Sequence, residues 1–354
     1  MQKIYNKIKK LNEILSLHNP EKVMLVCDSA FEHLTVADEI KSLPYPCVKF
    51  NAFTPNPRYD DIVNGVNLFR DNGCDYIIAV GGGSALDVAK CIKFFCKMNP
   101  EEVYLNQTYT ENNIPLLAVP TTAGTGSEAT RYAIIYYNGE KQSVTNDALL
   151  PDYVILEPDT LTTLPLYQKK CTMLDALCHA IESWWSKKAT PESIAHAETA
   201  IKMIISNMDS YLNNERTGNQ NMLAASNYAG KAINFTTTTA PHAMCYKLTT
   251  LYNLPHGHSA ILCLTKVWRH MLKSGDTQTF NDIANALGKQ NGSEAVDFID
   301  QLLQKLEILP PSSAKTDDLG ILAHSVNPQR LENNPSLLSG DEIKDLYKEV
   351  LNLI

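Results

Sequence analysis

The chain has 354 residues, 44 % apolar and 20 % charged, with 31 Lys and Arg against 39 Asp and Glu for a formal charge of -8. This composition supplies a large core and excludes intrinsic disorder, a disulfide mini-scaffold and a collagen-like chain. The acidic balance excludes general nucleic-acid binding, and the length allows two or three domains at roughly 100–200 residues each.

The N-terminal segment MQKIYNKIKKLNEIL is amphipathic and charged and lacks the apolar stretch of a secretory signal. The run Val23-Met24-Leu25-Val26, ending at Cys27-Asp28-Ser29, predicts a buried strand, and a shorter run follows at Val48 to Phe50. Thr54-Pro55-Asn56-Pro57 has turn composition. Ile62, Val63, Val66, Leu68 and Phe69 give residues 59–71 a helical period, closed by Asn72-Gly73. Asp75 to Val80 predicts a strand, Ala85 to Phe95 a helix and Pro115 to Val119 another strand. The alternation implies a mostly parallel sheet with helices on both faces.

After about residue 158 strand candidates almost vanish. Helices are predicted over Leu161 to Trp185, Pro191 to Leu212, Asn219 to Phe235, Ser259 to Leu272, Thr277 to Leu287, Ser293 to Leu306, Leu319 to Ser325 and Asp341 to Leu351. The reading is an α/β domain over residues 1–158 and an all-helical domain over 159–354, with the boundary near Pro151 to Pro165. The cleft between two domains is the default place for a ligand. No stretch approaches the ~20 apolar residues of a membrane span. The nine cysteines are odd in number, show no CxxC spacing and sit mostly among apolar neighbours, so reduced thiols in the cytoplasm are expected.

Four motifs carry chemistry. The predicted strand ending at Val80 runs into Gly81-Gly82-Gly83-Ser84 and a helix. There the glycines allow close backbone approach, Ser84 can cap the helix with Asp87 near a capping-box position, and the N–H groups suit a pyrophosphate. The pattern is not GxGxxG and also fits a plain strand-to-helix turn. The second motif, Pro120-Thr121-Thr122-Ala123-Gly124-Thr125-Gly126-Ser127-Glu128, packs hydroxyls and glycines after a buried strand. It suits phosphate, ribose or nicotinamide, or a Gly/Thr-rich linker. The third places Asp175 and His179 at i, i+4 on one helix face, which suits two ligands to one cation or a satisfied core pair. The fourth is Pro241-His242 with Pro255-His256-Gly257-His258 after it. One carboxylate and three imidazoles suit Fe²⁺ or Zn²⁺ rather than Ca²⁺ or Mg²⁺.

In this order the motifs resemble the iron-containing (group III) alcohol dehydrogenase family, over nearly the whole chain. The resemblance implies that residues 1–158 bind NAD(P) and that 159–354 bind metal and substrate. It implies one divalent metal, Fe²⁺ or Zn²⁺, on Asp175, His179, His242 and His256. It implies dinucleotide contacts at Asp28, Asn56, Gly81, Gly82, Gly83, Ser84, Asp87, Thr121, Thr122, Thr125, Ser127 and Lys141. The Asp28 charge disfavours a 2′-phosphate, so NAD(H) is expected over NADP(H). The family is often dimeric, which makes a homodimer the candidate assembly; the sequence identifies no interface.

One departure and one closer resemblance matter. Tyr246 stands where many members carry a second histidine, so the usual proton relay is in doubt. The stretch Ala229 to His242, continuing through Tyr246 to His258, resembles the phosphonoacetaldehyde reductase subfamily. Lys231, Thr236 to Thr239 and His258 offer charge and donors that a phosphonate would need. The expected reaction is reduction of a small aldehyde to a primary alcohol, phosphonoacetaldehyde to 2-hydroxyethylphosphonate first. Tyr246 and His258 are candidate proton donors, the latter from an extended loop. The alternatives are a neutral or carboxylate-bearing aldehyde (lactaldehyde, succinic semialdehyde), a dehydroquinate synthase-like lyase, and a silent metal-binding scaffold.

Overall fold

Three runs of consecutive apolar residues have no polar face to show to water, so they form strands buried on both sides. They are β2 (Val23–Cys27), β4 (Tyr76–Gly81) and β5 (Leu116–Pro120), each buried along its whole length. The computed structural model describes residues 2–273 and 277–353. It divides the chain into two units: Met1–Leu164 with Asn213–Asn227, and Pro165–Leu212 with Tyr228–Ile354.

In the first unit six strands form one parallel sheet. With β1 (Lys3–Tyr5), β3 (Cys47–Phe50) and β8 (Tyr153–Ile155), the order is β1-β8-β5-β4-β2-β3. The chain passes from β2 outward to β3 and returns to the other side of β2 as β4. The crevice beyond the carboxyl ends of β2 and β4 is therefore a topological switch point, where such sheets bind ligands. Helices α1 (Leu11–Ser16) and α2 (Ala37–Lys41) belong to this unit, as do α3 (Tyr59–Asp71) and α4 (Gly83–Phe95). The expected α/β class with a parallel sheet is present. A separate antiparallel hairpin, β6 (Tyr132–Tyr137) with β7 (Glu140–Thr145), was not expected.

The second unit is helical among the described residues. Its first helix, α5 (Leu166–Trp185), is buried over most of its surface, as an apolar helix in a core must be. After α6 (Pro191–Leu212) comes α7 (Arg216–Thr236), which belongs to the first unit up to Asn227 and to the second from Tyr228. Then follow α8 (Ala240–Tyr252), α9 (His256–Leu272), α10 (Gln278–Ala286), α11 (Gly292–Lys305), α12 (Asp318–His324), α13 (Pro328–Leu331) and α14 (Gly340–Val350). Trp185 packs edge-on against Trp268 at 5.5 Å, and both rings lie about 6.1 Å from Phe280, forming an aromatic node where α5, α9 and α10 meet. No described helix is long and apolar enough to cross a membrane.

Candidate metal centre and dinucleotide loops

Along α5 every residue from Met173 to Trp185 is buried, and Asp175, Cys178, His179 and Glu182 among them are ionisable. Asp175, His179 and Glu182 fall at i, i+4 and i+7, one stripe on one helix face. Helices α8 and α9 bring His242 and His256 to that stripe. One donor atom each from Asp175, His242 and His256 lies within 4.8 Å of the others, and the His179 ring stacks on His242 with centroids 4.6 Å apart. The four residues named from the sequence converge.

Asp175 Oδ1 and His242 Nε2 are both buried, face each other at 3.4 Å and lack a hydrogen-bond partner. Buried polar atoms without partners are costly and rare. Two electron-pair donors aimed at one point are what a divalent cation needs, so the residues fit the metal that the motifs imply. The other faces of this pair are fixed. His242 Nδ1 is hydrogen bonded to Glu182, whose second carboxylate oxygen accepts from Thr239 N at 2.7 Å and Thr239 Oγ1 at 2.8 Å. Burial opposes a charge on His242, but Glu182 and Asp175 outweigh it and push its pKa up to about 9 in the absence of a cation; a metal on Nε2 would take the place of that proton. Burial likewise opposes the Asp175 carboxylate, yet the neighbouring histidines hold its pKa well below the usual range.

Glu182 escaped sequence reasoning, although an acidic residue seven positions after Asp175 in an otherwise apolar run was the available signal. Gly257 sits where α9 meets α5. A Cβ there would stand 2.0 Å from the Cys171 carbonyl oxygen and 2.7 Å from Asp175 Cβ, so glycine alone lets α9 approach α5 closely enough to present His256.

The His256-Gly-His258 segment is not the extended loop expected but the first turn of α9. Positions i and i+2 of a helix point apart, and His258 leaves the donor group. Its Nδ1 pairs with Tyr167 Oη at 2.8 Å and its Nε2 with the Leu309 carbonyl at 2.9 Å, so both nitrogens serve the fold. Tyr246, one turn beyond His242, stacks on His256 with centroids 5.7 Å apart. Burial raises its phenol pKa far above the ordinary value against the pull of Arg330. Lys231 stands over the Tyr228 ring, 5.1 Å from its centroid. Two of the threonines proposed as phosphonate donors are committed elsewhere: Thr236 to Ser183, and Thr239 to Glu182 and Trp185.

In the first unit the two Gly-rich loops meet. Asp28, Gly82 and Thr121 each follow the carboxyl end of one of three neighbouring strands, in register through Cys27–Val80 and Gly81–Pro120. A Cβ on Gly81 would press Ala85 at 2.6 Å and Asp28 Oδ2 at 3.0 Å, so the chain passes between the Asp28 carboxylate and α4. Thr122 and Thr125 lie against Gly82 and Gly83. The Asn56 N–H donates to Ser84 Oγ at 3.3 Å.

The expected capping box is absent because α4 begins two residues earlier, with Gly82 at its N-cap, leaving Ser84 inside the first turn. Asp87 accepts from Ser127 Oγ at 2.6 Å and from Ile134 N at 3.0 Å. Both residues therefore brace the loop from behind. Buried Lys90, unremarked in the sequence, joins them through Ser127 Oγ, Thr130 Oγ1 and the Tyr132 carbonyl. Lys141 lies on β7 opposite Tyr136.

Comparison with known proteins agrees with this geometry. Residues 4–158 match the family described as iron-containing alcohol dehydrogenase, and residues 170–351 match that described as the Fe-containing alcohol dehydrogenase family, C-terminal. The chain belongs to the iron-containing alcohol dehydrogenase family. It is 30 % identical to the 1,3-propanediol dehydrogenase of Citrobacter freundii over 90 % of this chain and 84 % of that one. It is also 30 % identical to the 4-hydroxybutyrate dehydrogenase of Clostridium kluyveri, over 82 % and 83 % respectively. The fold matches the sulfoacetaldehyde reductase of Bifidobacterium kashiwanohense, solved with NAD+, with a TM-score of 0.91 over 100 % of this chain and 98 % of that one at 24 % identity. As a member of this family, the chain is an oxidoreductase of alcohols and aldehydes.

Proposed function

We propose that this enzyme reduces a small aldehyde to a primary alcohol with NADH, and that phosphonoacetaldehyde, giving 2-hydroxyethylphosphonate, is its substrate. The observation that carries the oxidoreductase reading is the pair of orphaned buried atoms, Asp175 Oδ1 and His242 Nε2, beside His179 and His256. These four residues would hold one divalent cation, Fe²⁺ or Zn²⁺, which when bound supplies a Lewis acid for a carbonyl oxygen. Glu182 keeps His242 Nε2 directed at that position. Tyr246 keeps its proton at Oη, next to His256, and is the candidate proton donor to the product oxygen.

In the first unit, the Gly81–Ser84 turn and the Thr121–Thr125 loop would hold the dinucleotide pyrophosphate and nicotinamide ends. The Asp28 carboxylate favours a free ribose over a 2′-phosphate, hence NADH over NADPH. The Gly81 contact with Asp28 and the sulfoacetaldehyde reductase's NAD+ complex support this assignment. The resemblance around Ala229 to His258 supports the phosphonate.

The test is NADH oxidation with a panel containing phosphonoacetaldehyde, lactaldehyde, succinic semialdehyde and propanal, with and without a chelator. Metal-dependent turnover with phosphonoacetaldehyde preferred is the expected result. Chelator-resistant turnover would remove the metal centre, and preference for propanal would remove the phosphonate.

A further inference from the structure

Besides Lys231, the sequence holds a second cation near the candidate metal donors, an arginine that the motifs did not single out. Arg330, on the short helix α13, has a half-buried side chain. Its Nη1 donates to Tyr246 Oη at 3.0 Å, and its guanidinium carbon stands 5.0 Å from the Tyr246 ring centroid. Among the described residues no carboxylate lies within 4.0 Å of it. Four other arginines have acceptor partners: Arg216 in Glu157 and Asp159, Arg269 in Asp297 and Asp300, Arg131 in Asp147, and Arg70 in three backbone carbonyls and Tyr104; Arg58 is exposed to solvent. A half-buried guanidinium without an anion has lost part of its hydration with little to replace it.

Its place relative to the metal donors gives this charge a use. Asp175 and His242 side chains are 4 % and 2 % exposed, whereas that of His256 is 37 % exposed, so the donor group opens on the His256 side. Tyr246 stacks on His256 there, and Arg330 grips the hydroxyl of Tyr246. His256, Tyr246 and Arg330 thus form a run of contacts that leads away from the donor group.

We propose that Arg330 is the anchor for an anionic group on the substrate, so that the enzyme's substrate class is small aldehydes bearing a phosphonate, sulfonate or carboxylate. The guanidinium fork suits a tetrahedral or planar oxyanion, and its grip on Tyr246 keeps it beside the donor group. This proposal rests on the aldehyde-reductase reading above and refines it by naming the recognising residue.

The test compares wild type, Arg330→Met and Arg330→Lys as metal-loaded full-length enzymes. Substrates are phosphonoacetaldehyde, sulfoacetaldehyde, succinic semialdehyde and uncharged propanal, and methylphosphonate serves as a competitive inhibitor. Arg330→Met is expected to lower the ratio of kcat/KM for the preferred anionic aldehyde over propanal by about 100-fold, chiefly through KM, and to weaken methylphosphonate inhibition by at least about tenfold. Arg330→Lys should fall between, because it keeps the charge and loses the fork. It carries the test if the Met variant does not fold.

An unchanged ratio in a variant that retains its metal overturns the role of Arg330 while leaving the phosphonate reading standing. If wild type prefers sulfoacetaldehyde or succinic semialdehyde and the ratio still collapses in the variant, the phosphonate reading falls and Arg330 stands. A wild-type enzyme with no preference for any anionic aldehyde overturns both.

Discussion

Glu182 and His242 form one buried unit, the carboxylate holding Nδ1 of the imidazole so that Nε2 faces Asp175 Oδ1. Removing such a partner changes ring orientation and basicity without removing a ligand. Glu182→Gln is expected to weaken metal binding by roughly 10–100-fold and to leave the fold intact. Competition with a chromogenic chelator measures this directly. Unaltered affinity would show that packing alone orients His242.

Gly257→Ala should be far more damaging than its size suggests. The added methyl would stand 2.0 Å from the Cys171 carbonyl, a backbone atom that cannot swing away. Helices α5 and α9 must separate, at a cost of roughly 3 kcal/mol or more. A lowered denaturation midpoint together with lost metal is expected. A variant that melts normally with full metal content would contradict the close approach.

Lys169 gives a pH signature. It is buried, its Nζ donates to the Tyr211 carbonyl at 3.2 Å, and burial lowers its pKa from 10.5 to about 8. Between those values the unfolded chain binds more protons than the folded one, so stability rises with pH across that window. Below about pH 8 the buried charge costs roughly 3 kcal/mol at most. Urea midpoints at pH 7.5 and pH 10 should rise in wild type relative to Lys169→Met. A relative fall would reverse the sign and sink the assignment.

Asp28→Asn tests dinucleotide choice. Asp28 Oδ1 caps the turn after β2 by accepting from Ala30 N at 3.0 Å, and asparagine retains that acceptor. Stability should change by less than about 0.5 kcal/mol. With the charge gone, the proposed preference for NADH over NADPH should narrow by about tenfold, read as kcat/KM for each dinucleotide. An unmoved ratio would place the ribose elsewhere.

Much of this was legible in particular residues. Continuous apolar runs marked β2, β4 and β5, because strands buried on both faces leave no alternation to confuse them. Strand β1 was hidden, since Lys3–Tyr5 is a three-residue edge inside a charged amphipathic segment. The β6–β7 hairpin carried its signal in Asn138-Gly139, both at positive φ (52° and 80°), and was overlooked beside longer helical patterns. Helix α8 went unread because Pro241 follows a threonine run, although proline is at home in a first helical turn.

For the candidate site, residue types and order pointed to the converging ligands, while orientation stayed invisible. Whether His256 and His258 share a target depends on helix or loop at that point. That Arg330 lies against the Tyr246 hydroxyl likewise depends on how α13 packs against α8, which no motif encodes.

The two orphaned atoms between Asp175 and His242 carry a practical consequence. An ion that fills their gap binds the native chain alone, so at a hundredfold excess over its dissociation constant it raises stability by about 2.7 kcal/mol. Heat resistance then becomes a gauge of cation loading, and two batches of identical sequence can melt at different temperatures for that reason alone.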